Sequence, residues 1–439
     1  MPDRAPWVVV TADPNRRNPL RRGWDRLWGN WIRRRWLVTR ALTVFWLVPQ
    51  TFEVMGDVKY YFLFVNGMFG AGDLDHTLRE YPAPSVAVFG LPRLLSGPHL
   101  HVYEALFAIL ILVVDAVFTA FLWRAAGRRP ATGLTLWLWL LPLLGPLTLC
   151  RLDLVPAVLG GGALLAVARR PALAGALAAL GAAMKLWPAA LIPSLWLPAP
   201  WTERGARWRL LTAFAVVAGA SCAAVVALAG TDRLTSPLTW QSDRSLQVES
   251  YAALPLLIAG VFSPGTWRVD FTKFVAFEVV GPGVGGFLTA ASVATLLAVV
   301  LLAVLWFRAV RLPVVPADAV GWLAVATVSF VVLTDKTLSP QYLLWIGAVL
   351  AALGVRGEDP ALPRATTLML LSAALTQLFY PTMYGLLVNI NPIAVAVITA
   401  RDVTLAMLVW LAVRRFWALT AVRPVEPLPA VSTSRYGVR

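Results

Sequence analysis

The residues most able to do chemistry stand at the ends of long apolar runs. Directly after the first run, residues 56–84 carry Asp57, Tyr60, Glu80 and Tyr81. A carboxylate in such a position can act as a general base on a hydroxyl group. The tyrosines can stack on rings or anchor at a membrane interface, because each has an apolar body and a polar end. The segment predicts a site at one membrane face.

Further candidates lie in polar segments that separate later apolar runs. Cations among them could hold a phosphate group, and the amides could orient a ligand. Charges close to a membrane interior are costly and normally pair or line a cavity, so we interpret the set as one site. These candidates are Arg151 and Asp153 in CRLDLVP, Lys185 in AAMKLWP, Arg244, Gln247 and Glu249 in WQSDRSLQVESY, and Lys336, Gln341 and Tyr342 in TDKTLSPQY.

The composition indicates a polytopic membrane protein. The chain has 439 residues, of which 59% are hydrophobic and 14% are charged, and its mean hydropathy is +0.70. A soluble domain of this length would carry roughly 25% charged residues. The pI of about 10.6 is typical of nucleic-acid binding, but arginines that accumulate in cytoplasmic loops explain it as well. We expect no nucleic-acid partner.

Apolar runs long enough to cross about 30 Å of hydrocarbon recur along the chain. They predict an all-α fold with about twelve transmembrane helices and short outer-face helices, one of them over residues 252–262. The predicted spans are residues 36–55, 103–123, 131–149, 154–168, 172–186, 188–199, 209–230, 284–308, 319–334, 340–355, 364–380 and 398–413.

Arginine clusters follow alternate spans, and the positive-inside rule then places both termini in the cytoplasm. Residues 1–35 form a basic arm in which Leu20, Trp24, Leu27, Trp28 and Trp31 recur at helical spacing. This pattern predicts an amphipathic helix on the membrane surface, with a disordered arm as the alternative. The transmembrane domain covers residues 36–420, and a disordered tail covers residues 421–439. The plasma membrane is the expected location, with residues 56–102, 231–283 and 381–397 outside.

Several short motifs occur in a consistent order over most of the chain. They are Gly56-Asp57-Val58 with Tyr60, Glu80-Tyr81-Pro82, Arg151-Leu152-Asp153, Lys185-Leu186-Trp187-Pro188, Leu246 to Ser250 as LQVES, and Lys336 to Tyr342 as KTLSPQY. On these residues the chain resembles glycosyltransferase family 87, whose members are C-type membrane enzymes that use polyprenyl-phosphate sugars. It departs from the family in Pro82-Ala83-Pro84, where members often have a double proline. It also has no histidine after His101, whereas some mannosyltransferase members use a late one.

The resemblance implies an inverting transfer of a sugar, with mannose as the first expectation. Asp57 occupies the position of the base that deprotonates the acceptor hydroxyl, and the other candidates would bind substrate. The implied partners are a polyprenyl-phosphate sugar, a glycolipid or glycan acceptor of the cell envelope, and the bilayer. We expect neither a metal nor another cofactor, because Asp73-Leu74-Asp75 has the spacing of a metal-binding pair but stands in a glycine-rich tip.

Plainer interpretations remain open at this point. Asp57 could cap the helix predicted at 58–69, Glu80 could pair with Arg79, and Arg151 could pair with Asp153. Lys185 and Lys336 could extend to the interface. An arabinofuranosyltransferase with the same type of donor is the nearest alternative function. A lipid or small-solute transporter is another, although a transporter needs its polar residues near mid-membrane.

Overall fold

A computed structural model describes residues 30–70, 72–197, 199 and 205–421, apart from the side chains of residues 52 and 53. Most of the basic arm, with its predicted amphipathic helix, lies outside the described residues, as does the tail from residue 422. The described part is almost entirely helical, as the recurring apolar runs predict.

The first half of the chain forms eight helices within the described ranges. Two short 3₁₀ turns, Pro146–Leu149 and Trp187–Leu191, interrupt them. The helices are α1 (Asn30–Val54), α2 (Gly56–Gly70), α3 (Ser85–Ser96), α4 (Leu100–Ala125), α5 (Thr132–Leu144), α6 (Leu154–Ala166), α7 (Pro171–Met184) and α8 (Ile192–Leu195).

The second half adds further helices and a small sheet. A 3₁₀ turn (Pro340–Tyr342) precedes α13, and a π-helical turn (Leu378–Thr382) follows α14. The elements are α9 (Ala206–Ser242), α10 (Leu254–Phe262), β1 (Arg268–Phe271), β2 (Phe277–Val280), α11 (Val284–Val310), α12 (Ala317–Thr334), α13 (Leu343–Gly354), α14 (Leu362–Gln377), α15 (Tyr384–Val388) and α16 (Pro392–Leu419).

Five described helices, α4, α9, α11, α12 and α16, are long and apolar enough to cross a membrane. The predicted count of about twelve spans is therefore not confirmed. The span predicted at residues 188–199 is wrong. These residues form the end of a 3₁₀ turn and a four-residue helix, each of which has a proline in its first two positions. Proline lacks the backbone N–H that continues a helix, and the four residues of α8 extend only about 6 Å.

The segment between the spans α9 and α11 is more ordered than a loop. The predicted outer helix at 252–262 is confirmed as α10. Residues 231–242 continue α9 beyond a kink at Gly230. Its φ of 79° is a conformation that glycine adopts readily because it has no Cβ atom. Strands β1 and β2 pair antiparallel from Arg268 opposite Val280 to Phe271 opposite Phe277. The all-α prediction is corrected by this hairpin, whose phenylalanines and valines favour extended backbone.

Small residues allow the buried helices to pack closely. A Cβ atom at Gly133 of α5 would lie 2.1 Å from the carbonyl oxygen of Ala351 in α13. A Cβ atom at Gly175 of α7 would lie equally close to the carbonyl oxygen of Leu210 in α9. Close backbone approach at small residues is typical of helix packing in membranes, where apolar burial alone gives no driving force.

One fully satisfied ion pair lies inside the helix bundle. Arg40 of α1 binds Asp115 of α4 through Nε and Nη2, each at 2.7 Å. The indole N–H groups of Trp36 and Trp137 donate to the same carboxylate at 2.7 and 2.8 Å. A charged residue in the middle of an apolar helix normally pairs with another group or marks a functional site. The pair with Arg40 gives Asp115 a structural role, in which it joins α1, α4 and α5.

Replacing Asp115 alone should destabilise the protein strongly, because it leaves the Arg40 guanidinium buried without its partner. We expect Asp115→Leu to lower the free energy of unfolding by about 3–5 kcal/mol, measured by denaturant unfolding in detergent micelles. The double variant Arg40→Met with Asp115→Leu should recover most of that loss. A control on the same helix, Glu104→Gln, removes a contact to the exposed His101 and should change little. Equal losses of unfolding free energy in the single and double variants would contradict the structural role of the Arg40–Asp115 pair.

Candidate functional site

A cavity of about 590 Å³ opens where the start of α2, the end of α9, the hairpin and the turn before α13 meet. It is lined by all of the predicted site residues except Asp153 and Lys336. Those brought together are Asp57, Tyr60, Glu80, Tyr81, Arg151, Lys185, Arg244, Gln247, Glu249, Gln341 and Tyr342. Residues as far apart in the sequence as Asp57 and Tyr342 therefore form one site.

Asp57 lies in the first turn of α2 and contacts Arg151. The Oδ2 atom is 2.8 Å from Arg151 Nε, and the aspartate side chain is 36% exposed whereas the arginine is buried. Arg151 also donates to the carbonyl oxygens of Val54 and Cys150 and to the hydroxyl of Tyr380, at 3.0–3.1 Å. The alternative pairing of Arg151 with Asp153 is wrong. Asp57 is positioned by a rigid cation and stays accessible from the cavity.

Asp153 lies behind the cavity wall and holds Lys185. Its Oδ1 atom accepts from Lys185 Nζ at 2.8 Å and from the indole of Trp345 at 2.9 Å. The same ammonium group lies 4.3 Å from the ring centre of Tyr342, an arrangement that stabilises a cation over an aromatic face. Asp153 is therefore placed to position Lys185, and it does not line the cavity itself. Lys185 is mostly buried rather than extended to an interface.

The segment around Gln247 forms another wall. Arg244 Nη2 donates to Gln247 Oε1 at 3.0 Å, and its Nε lies 3.6 Å from Glu278 of β2. Lys336 turns away from the cavity, and its Nζ donates to the carbonyl oxygens of Ser242 and Arg244 at 3.0 and 2.7 Å. Lys336 is not among the residues that line the cavity, so its contact with a donor phosphate stays a prediction. Its contacts position the Arg244 segment.

Glu80 is near Tyr60 and not paired with Arg79, whose nearest carboxylate is Asp75 at 3.9 Å. Burial is the main cause that raises the pKa of Glu80, and a hydrogen bond from Tyr60 opposes it. The Oε1 atom of Glu80 has no partner among the residues that the structure describes. A ligand hydroxyl group could satisfy that atom, as expected for a residue that binds an acceptor.

Arg233, which the sequence interpretation missed, holds the segment that carries Glu80 and Tyr81. This fully buried residue follows the kink in α9. Its guanidinium donates to four backbone carbonyl oxygens, at 3.0–3.2 Å, in residues 74–81. An arginine just beyond a span on the predicted outer side departs from the positive-inside trend. That departure could have identified Arg233 from the sequence.

Aromatic residues that were not predicted complete the cavity. Tyr380 lies in the π-helical turn and Tyr384 begins α15, and their rings meet edge to face with centres 4.9 Å apart. Phe271 and Phe274 come from the hairpin, and the ring centres of Trp240 and Phe274 are 5.5 Å apart. The tyrosines stand at the edge of the predicted outer segment 381–397, so their position in the sequence could have suggested them.

Removing Arg233 should loosen the segment that it holds without disturbing the bundle. We expect Arg233→Gln to speed amide hydrogen exchange in residues 74–81 by about tenfold or more, since hydrogen bonds from a charged group contribute about 1.5–3 kcal/mol each. Exchange measured by mass spectrometry would show this. Arg79→Gln is the matched control, because Arg79 makes only a long contact to Asp75. Similar exchange in both variants would argue against the anchoring role.

Comparison with known proteins agrees with the geometry. The family model described as glycosyltransferase family 87 matches residues 80–334, which is more than half of the chain. A search of curated proteins found no match, and a search of solved structures found none. The matched residues include the Glu80 segment, the Arg151 turn, Lys185 and the Gln247 segment. The chain belongs to glycosyltransferase family 87 and is a membrane enzyme that transfers a sugar.

Proposed function

We propose that the enzyme transfers mannose, with inversion, from a polyprenyl-phosphate donor to a hydroxyl group of a cell-envelope glycolipid or polysaccharide. The observation that carries this proposal is the accessible carboxylate of Asp57 on a cavity that also holds cations and aromatic rings. The family match begins at Glu80, so the role of Asp57 is argued from geometry and from the motif in which it stands.

Asp57 would act as the general base. It accepts the proton of the acceptor hydroxyl, and the acceptor oxygen attacks the anomeric carbon of the donor sugar. The bond between that carbon and the phosphate oxygen breaks, and polyprenyl phosphate leaves with the electron pair. Arg151 fixes one oxygen of the carboxylate at 2.8 Å, so that the base is oriented before the acceptor binds, as efficient proton transfer requires.

The remaining wall residues divide between two substrates. Arg244 donates to the carboxamide of Gln247, and Lys185 is a further cation of the cavity lining. We assign both cations, with Gln247 and Gln341, to the phosphate of the donor. Tyr60, Glu80 and Tyr81 are on the same side as Asp57 and would contact the acceptor. Tyr342 is buried, with its ring centre 3.9 Å from that of Trp345 and 4.3 Å from Lys185 Nζ. It would therefore help to hold Lys185 in place.

The proposed orientation places the cavity outside the cell and the loop 355–361 in the cytoplasm, since arginines cluster near that loop. In a Cys222→Ala background, Asp73→Cys should react with a membrane-impermeant maleimide on intact cells. Glu358→Cys should react only after permeabilisation. Both positions are exposed, so access to the reagent depends on the side of the membrane. Labelling of position 358 alone on intact cells would reverse the orientation.

Replacing the base should remove turnover. The amide oxygen of an asparagine can still accept a hydrogen bond from Arg151, so the fold should persist although the charge pair is lost. General base catalysis contributes about a hundred- to ten-thousandfold, so Asp57→Asn should lower kcat by that factor. Purified protein incubated with labelled polyprenyl-phosphate mannose and envelope lipid extract would measure it, with a pentose donor tested in parallel. Asp73→Asn, in an exposed turn with His76, is the matched control. If Asp57→Asn kept more than about a tenth of the wild-type rate, Glu80 would be the next carboxylate to test.

A further inference from the structure

Glu249 is a carboxyl group of the cavity in addition to Asp57 and Glu80, and its backbone is rigidly held. The residue lies in the turn between α9 and α10. There the N–H groups of Gln247 and Val248 donate to the carbonyl oxygens of Lys336 and Phe277, at 3.0 and 2.9 Å. The side chain is 1% exposed and lines the cavity that Asp57 also lines. Glu249 therefore has little freedom to move towards solvent.

The two carboxyl oxygens of Glu249 have different environments. Oε1 accepts a hydrogen bond from the hydroxyl of Tyr384 at 2.9 Å. Oε2 is buried and has no hydrogen-bond partner within the described part of the chain. Buried polar atoms are normally satisfied, so Oε2 is the atom that a ligand would complete. If the group carries a proton, Oε2 is where it is free to be donated.

The two guanidinium groups near Glu249 are each paired with another carboxylate. On α16, Arg401 Nε lies 2.5 Å from Asp402 Oδ1, and Arg401 reaches only the backbone oxygen of Glu249. On the opposite side, Arg151 is paired with Asp57. Each neighbouring guanidinium therefore already has a carboxylate partner.

The other titratable groups that face Glu249 are the tyrosines Tyr380 and Tyr384. Asp57 and Asp402 already pair with the two guanidinium groups, so an ionised Glu249 would be a buried carboxylate without a cation of its own. This favours the protonated form of Glu249. Burial raises the pKa of Glu249 to about 7, which agrees with this charge count.

We propose that Glu249 holds a proton when the donor binds and donates a hydrogen bond from Oε2 to the donor phosphate. The proposal rests on the proposed function, because it assumes a phosphate-bearing lipid in this cavity. A neutral carboxyl group donates to an anionic oxygen without adding a negative charge to the wall. An ionised Glu249 would repel the phosphate instead. Donor binding is then controlled by one proton on the protein.

Donor binding as a function of pH tests this proposal. We would measure binding of polyprenyl-phosphate mannose to the purified full chain, without an acceptor, by calorimetry in detergent. Its phosphodiester has one negative charge throughout the range near neutrality. The wild-type Kd should rise about fivefold between pH 7 and pH 8, as expected for a required proton with a pKa near 7. Glu249→Gln, whose amide donates at every pH, should bind with the wild-type affinity of pH 6 and show no such rise.

A second variant should shift the pH dependence of donor binding instead of abolishing it. Tyr384→Phe deletes the hydroxyl that stabilises the ionised form of Glu249, so the midpoint of the pH dependence should shift to higher pH. A merely structural role for Glu249 would not move this midpoint.

A wild-type Kd that does not change with pH would overturn the proposal, and so would a loss of binding at pH 6 in Glu249→Gln. If the donor binds with the expected pH dependence but no sugar is transferred to any acceptor, the phosphate subsite stands and the proposed function fails.

Discussion

Every buried charge near the cavity must be paired, and Arg151 is the residue through which this constraint shapes the site. Its guanidinium joins the last turn of α1 at Val54, the first turn of α2 at Asp57, its own turn at Cys150, and Tyr380 after α14. No other described side chain links these segments in this way. A lysine has a single nitrogen at its tip and could not make contacts in so many directions. The position of Asp57, the proposed base, therefore depends on a cation that need not touch substrate.

The fold was predictable where local pattern determines structure. Apolar runs become helices in a membrane because a helix satisfies its own backbone groups, and the bounds of α2 and α10 agree closely with the predicted ones. Pattern alone could not predict the hairpin, whose strands have only four residues each. It could not separate true spans from shorter apolar helices either. The pairing of Arg40 with Asp115 joins residues 75 apart, and no local signal connects them.

The site was predictable to a similar extent. Charges and amides in a mostly apolar chain are conspicuous, so the lining residues were found from their type. Their partners were not, because pairing depends on how the helices pack. Arg151 pairs with Asp57 rather than with Asp153, although Asp153 is two residues away, and Lys185 takes Asp153 instead. Tyrosines such as Tyr384 were missed because aromatic residues are common throughout this sequence and carry no charge to mark them.

The way in which Arg233 holds residues 74–81 has a consequence for how this enzyme can diversify. Its four carbonyl contacts are all to backbone atoms, so these contacts are available whichever side chains the segment carries. Leu78 and Tyr81 pack against the core and are constrained, but the other positions can change while the arginine holds the backbone. A family of enzymes built on such an anchor can change the molecules it recognises by exchanging side chains on a constant frame, much as antibody loops do on theirs. Residues 74–81 would therefore be the first place to randomise in a search for altered specificity.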